Sequence, residues 1–384
     1  MIPAKYKSIA LLLLGMLLCG ALWAQQPPTQ GVAQHKILLE PGLRSEATAP
    51  AEIKAKLAAM RAEIKQRKAS YTVGYTPALA VPLEQLAGLK VPADVNDATI
   101  QNVNSRAQEL HEIDIKSAAA AKFQLPVLPC NANGKSCDWR RLNSHFPPVR
   151  AQCCGDCFDH AANEAFDDSY AIRSNKEIET SVQYALDCFN AGTCAGGWYM
   201  PIFDHMISQG TAAESVVPTT CATEPCPNVA HPYRAVAWGF VANTANIPAV
   251  AQIKAALCAH APLATAVEAD SHFQAYTGGV FDEHTQQFPG INHAITIIGW
   301  DDTKVGIKGN RGAWLIKNSW GSGWGETGGY GTSKGYMWIS YNTNNIGNHT
   351  AWVDAMHIRY TLLPDWIKIL EKDRFQVEPL PHVE

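Results

Sequence analysis

Charge is scarce in this chain: Asp, Glu, Lys and Arg make up 17% of its 384 residues, with a net charge of −4. No stripe of Lys and Arg gathers along it, which argues against nucleic-acid binding as the main task. Beyond the N-terminal run from Ile9 to Trp23, no segment approaches the roughly 18 apolar residues of a membrane span, so none is expected. The cysteines lack tandem Cys-x-x-Cys units at zinc spacing; Cys154-Gly155-Asp156-Cys157 stands alone, so no metal site and no cofactor is expected. A thioredoxin-like use of that unit would want a βαβ context instead. No cysteine follows Cys258. What remains is an ordinary globular composition, 47% hydrophobic, long enough for two or three units.

Residues 1–24 carry Lys5 and Lys7, then the apolar run, then Ala24. This pattern predicts a signal peptide cleaved after Ala24, and hence a secreted or periplasmic protein. A lipoprotein signal at Cys19 is the rival, disfavoured by Leu18 before it. Residues 25–48 are polar and Pro-rich and read as flexible. From Ala51 to Ile64, Ile53, Leu57, Met60 and Ile64 recur on one face of an amphipathic helix. Tyr71 to Tyr75 reads as a short strand, Leu83 to Leu89 as a helical piece, and residues 104–122 as a further helix or linker.

The chemistry gathers at Gln152-Cys153-Cys154-Gly155-Asp156-Cys157-Phe158. Small and apolar residues at helical spacing from Phe158 to Ile172 place Cys157 in the first turn of a buried helix. There the free N–H groups and helix dipole favour the thiolate, which is the nucleophile. A cysteine among cysteines is more often half of a disulfide; the downstream pattern decides otherwise. Gln152 could donate its amide to an oxyanion formed on an attacked carbonyl, beside the N–H of Cys157.

His293 heads the β-branched run His293-Ala294-Ile295-Thr296-Ile297-Ile298, a predicted central strand. A second predicted strand, Ala313 to Lys317, ends in Asn318-Ser319-Trp320-Gly321. An asparagine there can accept from the imidazole and fix its tautomer, with Trp320 shielding the bond. His293 and Asn318 follow Cys157 by 136 and 161 residues. The first separation fits the roughly 130–150 of a papain-type Cys, His, Asn order, and the second lies slightly beyond it.

From about residue 125 to 358 the chain resembles the papain-family cysteine peptidases. The likeness is carried by Asp138-Trp139-Arg140, Pro148 to Gln152, Ser181 to Cys188, Cys194-Ala195-Gly196-Gly197 and Tyr276 to Phe281. It implies an α+β fold of two subdomains, a helical left half and a β-barrel-like right half, with the active-site cleft between them. It implies Cys157 as nucleophile, His293 as base and then acid, Asn318 as orienter and Gln152 in the oxyanion hole. Gly196 and Gly197 would present backbone to an extended peptide. Trp198, Tyr199 and Ile291 fall near the pocket for the second residue before the cleaved bond, with Trp320 also among the site's walls; core packing is the alternative for these apolar residues.

The implied organisation is a signal peptide (1–24), a divergent propeptide (25–124), the peptidase domain (125–360) and a C-terminal extension (361–384). The implied partners are peptide or protein substrates and the chain's own propeptide as inhibitor, in a monomer. Endopeptidase is the default activity. A peptide acyl-transferase using the same nucleophile, or a silent peptide-binding relative, are the alternatives. A pairing of Cys154 with Cys194 and of Cys188 with Cys226 follows from the resemblance, while Cys130 and Cys137 could close a local loop. Cys153, Cys221 and Cys258 are left without assignment, and the odd count leaves one cysteine over.

Departures from the family pattern are legible as well. One residue is missing between Gln152 and Cys154, Asp156 and Phe158 flank the nucleophile, and Gly328 to Lys334 is an insertion expected to be a flexible loop. An acid at position 156 is a good helix cap but opposes thiolate formation beside it. Asn348-His349-Thr350 is a glycosylation sequon in a eukaryotic setting only.

Overall fold

The computed structural model describes residues 28–283 and 290–357, together with Leu362, Pro364, Asp365, Trp366, Lys368 and Ile369. The expected signal peptide and most of the C-terminal extension lie outside these residues.

Helix α1 (Pro28–Leu38) starts the described chain. This corrects the expectation of a flexible 25–48 segment. Leu38 is fully buried, and Gly31 lies so close to Cys221 that an added Cβ would stand 2.5 Å from its carbonyl oxygen. Helix α2 (Ala51–Arg67) buries Leu57 and Met60, half the predicted stripe, with Ile53 and Ile64 half-buried. Strand β1 (Ser70–Val73) turns Tyr71 and Val73 inward by period-two alternation. Leu83 to Leu89 departs from its helical reading: one 3-10 turn covers Leu83–Gln85, and the chain then runs extended. Helix α3 (Asp97–Ala120) is longer than predicted because Asn96 caps it, its Oδ1 accepting from the N–H groups of Ala98 and Thr99. Its buried Ile100, Val103, Ala107 and Leu110 recur three or four apart and turn the helix onto β5 (Ala235–Phe240).

The second half of the chain begins with β2 (Ser136–Asp138) and the short α4 (Trp139–Leu142). Then come α5 (Cys157–Ser174), α6 (Val182–Cys188), the two-residue strands β3 (Gly192–Thr193) and β4 (Gly196–Gly197), and α7 (Met200–Ser208). After β5, α8 (Val250–His260), β6 (Leu263–Val267), α9 (Ser271–Ala275) and β7 (Tyr276–Phe281) lead to β8 (His293–Val305). Strands β9 (Arg311–Lys317), β10 (Tyr336–Ser340) and β11 (Asn348–Ala355) complete it. One sheet runs β1-β7-β10-β9-β8-β6-β11-β5, with β2 paired to β8. The N-terminal segment therefore extends the sheet of the other half: β1 pairs antiparallel with β7. The architecture is α+β in two subdomains, one helical around α5 and one built on the sheet.

Helix α5 is buried on every side from Cys157 to Ile172, so its acidic residues need partners. Asp167 pairs with Arg150 and Asp168 with Lys317, whose Nζ lies 2.7 and 3.0 Å from its two oxygens. The second pair ties the helical half to the end of β9, one residue before Asn318. The Gly328 to Lys334 insertion is tethered at its start: the guanidinium groups of Arg140 and Arg141 stand over the Tyr330 ring, and Arg140 donates to the Thr327 carbonyl at 2.7 Å.

Four disulfides cross-link the described residues: Cys130–Cys258, Cys153–Cys221, Cys154–Cys194 and Cys188–Cys226. The last two are those the resemblance implied. The local Cys130–Cys137 loop is corrected: Cys130 reaches α8 instead, and Cys137 is the odd thiol, buried 3.4 Å from the Cys130 sulfur. Cys137 was the nearer partner in sequence and its strand β2 lies in the sheet against β8, but Cys258 closes the bond.

Non-reducing peptide mapping is expected to recover Cys130 joined to Cys258 and Cys153 joined to Cys221, with Cys137 alkylated only in denaturant. Replacing Cys153 and Cys221 together by serine should lower unfolding free energy by about 2–4 kcal/mol; an unchanged denaturation midpoint would contradict the cross-link.

Candidate active site

Cys157 opens α5, His293 opens β8 and Asn318 follows the end of β9, so three elements from two subdomains deliver the three side chains. All three are fully buried. His293 Nε2 lies 2.9 Å from Asn318 Oδ1, and the other ring nitrogen, Nδ1, has no hydrogen-bond partner. The N–H of Ala294, the residue after His293, faces the Cys157 sulfur. Trp320 stands beside the imidazole, ring centres 4.7 Å apart, and is itself enclosed by Phe273 and Trp324. It therefore screens the His293–Asn318 bond from water, and among the described residues its place is in the packed interior rather than on an open wall.

Gln152 reaches the site despite its shortened spacing. Its Nε2 donates to the Leu86 carbonyl at 2.9 Å and also to the Cys154 carbonyl. Two contacts with Ser319 aim it: the Gln152 N–H donates to the Ser319 carbonyl at 2.7 Å, and Ser319 Oγ donates to Gln152 Oε1 at 2.9 Å. Ser319 also donates its own N–H to Asn318 Oδ1 at 2.9 Å. One residue thus bonds both Asn318 and Gln152. The sequence reading passed over Ser319; its place directly after Asn318 was the available signal.

The cleft is filled from within the chain. Residues Leu86 to Lys90 cross it, Leu86 ending the 3-10 turn and Leu89 pairing in parallel with Gly197. The Gly197 N–H donates to the Gly88 carbonyl, the Lys90 N–H to the Gly197 carbonyl and the Leu89 N–H to the Asn292 carbonyl, each at 2.9 Å. Gly88 has no room for a side chain: an added Cβ would meet the Gly155 carbonyl oxygen at 1.8 Å. Gly196 likewise leaves little room, an added Cβ there falling 2.3 Å from the Gly88 carbonyl oxygen. Leu89 packs in one apolar cluster with Trp198, Tyr199 and Ile291. The β1 end of the segment is fastened separately, where Tyr71 bonds Glu283 and His272 Nδ1, and His272 Nε2 reaches Glu63 at 3.1 Å.

Burial weighs on the charge of both Cys157 and His293. Burial pushes the Cys157 thiol up to about 12, against the N–H groups of Ala294, Gly88 and Phe158, which favour the thiolate. Burial also lowers His293 to about 4, opposed by its bond to Asn318. Between those values the covered pair is a neutral thiol and a neutral imidazole. Asp156 is raised to about 7 by burial, opposed by backbone N–H groups. Its carboxylate makes no capping bond to the helix, turning back toward the Cys154 N–H, which corrects its reading as a cap.

Residues 133–354 match the profile described as Papain family cysteine protease. The chain belongs to the papain family of cysteine proteases. It is a papain-type cysteine peptidase, similar to fruit bromelain of Ananas comosus, 32% identical over 60% of this chain and 70% of that protein. Pro-cathepsin H of Mus musculus is 31% identical over 50% of this chain and 58% of its own length. Ananain of Ananas comosus is 31% identical, with 54% of its length covered. In fold, the recombinant stem bromelain precursor superposes with a TM-score of 0.57 at 21% identity, covering 86% of this chain and 93% of that one. The proform of the Amb a 11 cysteine protease gives 0.54 at 22% identity, covering 85% and 92%.

An exposed imidazole takes up its proton near pH 6.5, whereas covered His293 does so only near 4. The covered state binds fewer protons there, so it loses stability as pH falls through that window, by about 1.4 kcal/mol per pH unit. Urea denaturation stepped across it should show a steeper acid loss in the Cys157→Ala chain than in Cys157→Ala combined with His293→Gln. Equal slopes would contradict a buried neutral imidazole.

Proposed function

We propose that the chain is a zymogen and that Cys157, His293, Asn318 and Gln152 hydrolyse peptide bonds once Leu86 to Lys90 has left the cleft. The observation that carries this reading is the Leu86 carbonyl on the Gln152 amide. A carbonyl oxygen already occupies the place where an oxyanion would be stabilised.

With the segment gone, water enters, the penalty on charge falls, and the Cys157 proton passes to His293 Nδ1. The thiolate attacks a peptide carbonyl, and the oxyanion is held by Gln152 Nε2 and the Cys157 N–H. The imidazolium then protonates the leaving amine, giving a thioester. His293 next takes a proton from water, whose oxygen attacks the thioester, and the acid product departs as the thiol is restored. Asn318 keeps Nε2 engaged so that Nδ1 faces the reacting groups throughout.

The same geometry accounts for the segment's survival in the site. Its carbonyl bonded to Gln152 belongs to Leu86, whereas the group facing the sulfur is the Gly88 N–H. Attack needs the carbonyl held by Gln152 to face the sulfur as well, where the segment sets the Gly88 N–H. Leu89, which shares an apolar cluster with Trp198 and Tyr199, is read as standing in for an apolar side chain two residues before a cleaved bond. An apolar preference there follows. Export by a cleaved signal peptide fits the four disulfides, which form in oxidising compartments.

Kinetics of the processed enzyme on short peptides with varied apolar residues test this. Cys157→Ala should abolish turnover, Gln152→Ala should lower kcat by about 10²–10³, and Asn318→Ala should lower kcat with little change in KM. Full activity in Cys157→Ala would sink the reading, and an inert wild-type enzyme after processing would favour a silent peptide binder.

A further inference from the structure

Far from the thiol, a second polar cluster joins the N-terminal segment to the peptidase half. His111 comes from α3, His260 from the end of α8 and Asp354 from β11. His111 Nδ1 lies 2.9 Å from Asp354 Oδ2, and His260 Nδ1 lies 3.1 and 3.2 Å from the two carboxylate oxygens. One ligand atom from each residue lies within 4.8 Å of the others. Ligands around a tetrahedral zinc-type ion, at about 2.0–2.2 Å from it, stand roughly 3.3 Å apart, so small movements would convert this arrangement into a coordination shell. Trp352 stacks on His260 with ring centres 3.8 Å apart and fixes the ring. A cavity of about 170 Å³ adjoins all three side chains, with space for an ion and its remaining water ligands. His111 is a third exposed, which leaves a path from solvent.

We propose that His111, His260 and Asp354 bind one divalent ion of the zinc class, joining the N-terminal segment to the peptidase domain. Imidazole and carboxylate are the donors such an ion takes. Arg173 is the opposing feature, its Nη1 3.6 Å from Asp354 Oδ1. Its charge is balanced by Asp114, whose Oδ2 lies 2.5 Å from Nη2. Asp354 and Asp114 thus set two carboxylates beside the one guanidinium of Arg173. The ligands come from both sides of the boundary, so the segment cannot leave without giving up His111. Any delay this imposes on activation rests on the zymogen reading; the binding itself does not.

The test is titration of the tag-free, full-length Cys157→Ala chain with zinc by calorimetry and with cobalt by visible absorption. One ion per chain is expected, with the d–d bands of a tetrahedral nitrogen and oxygen site and no thiolate charge-transfer band. His111→Gln and His260→Gln should each weaken binding more than about tenfold, while His35→Gln, in α1, leaves it unchanged. Circular dichroism of each variant checks that the fold is retained. No bound ion, a thiolate charge-transfer band, or binding indifferent to both substitutions would overturn the site. Zinc should also slow cleavage of the segment by an added protease in the Cys157→Ala chain; binding without that protection would overturn the joining role.

Discussion

Backbone packed on backbone, with no Cβ between, is the constraint on which the site depends. Gly88 lies against Gly155, and Gly196 against the Gly88 carbonyl, where an added Cβ would come within 2.3 Å of the oxygen. That closeness lets the segment exchange main-chain hydrogen bonds with Gly197 and Asn292 while setting an N–H over the sulfur. It also removes water. The neutral state of Cys157 and His293 follows from that burial, because a charge pair has no solvent there to stabilise it.

The rest of the molecule holds the two sides of this contact in register. Lys317 bonded to Asp168 fixes the end of β9, and so Asn318, against α5 and Cys157. Arg150 bonded to Asp167 fixes the approach to Gln152. Such buried pairs contribute little net stability but are costly to break singly; their effect here is positional. Ser319 then transmits the position to both Asn318 and Gln152. On the other side, β1 on β7 and α3 on β5 anchor the covering segment at each end, so the stretch between them crosses the cleft without needing a strong grip of its own.

Much of this was legible in the sequence where one physical requirement dominated locally. The helical spacing after Phe158 placed Cys157 at a helix start, and the β-branched run after Asn292 placed His293 on a strand. The glycines of the Gly196-Gly197 pair announced close backbone approach. What stayed hidden depends on pairings between distant residues. Cys130 bonds Cys258, 128 residues along the chain, although the sulfur of nearby Cys137 lies 3.4 Å away. Leu83 to Leu89 had apolar spacing compatible with a helix, but the bonds offered by Gly197 and Asn292 draw it out straight. The His111, His260 and Asp354 cluster draws on three remote segments with no motif in any of them. Asp156 occupied a capping position in sequence, yet after the bend over Cys153 to Gly155 its carboxylate turns back toward the Cys154 N–H.

The central claim is that Leu86 to Lys90 covers a competent thiol through the fit of Gly88 on Gly155. The most direct measurement is the rate at which an epoxide peptide inhibitor labels Cys157, followed by mass spectrometry in the intact chain, in Gly88→Ala and after removal of the segment. The account predicts negligible labelling of the intact chain. Gly88→Ala should label readily, since its methyl cannot share space with the Gly155 carbonyl, and the freed enzyme should label fastest, with one adduct, on Cys157. Equal slow labelling in all three forms would contradict it, and so would rapid labelling of the intact chain.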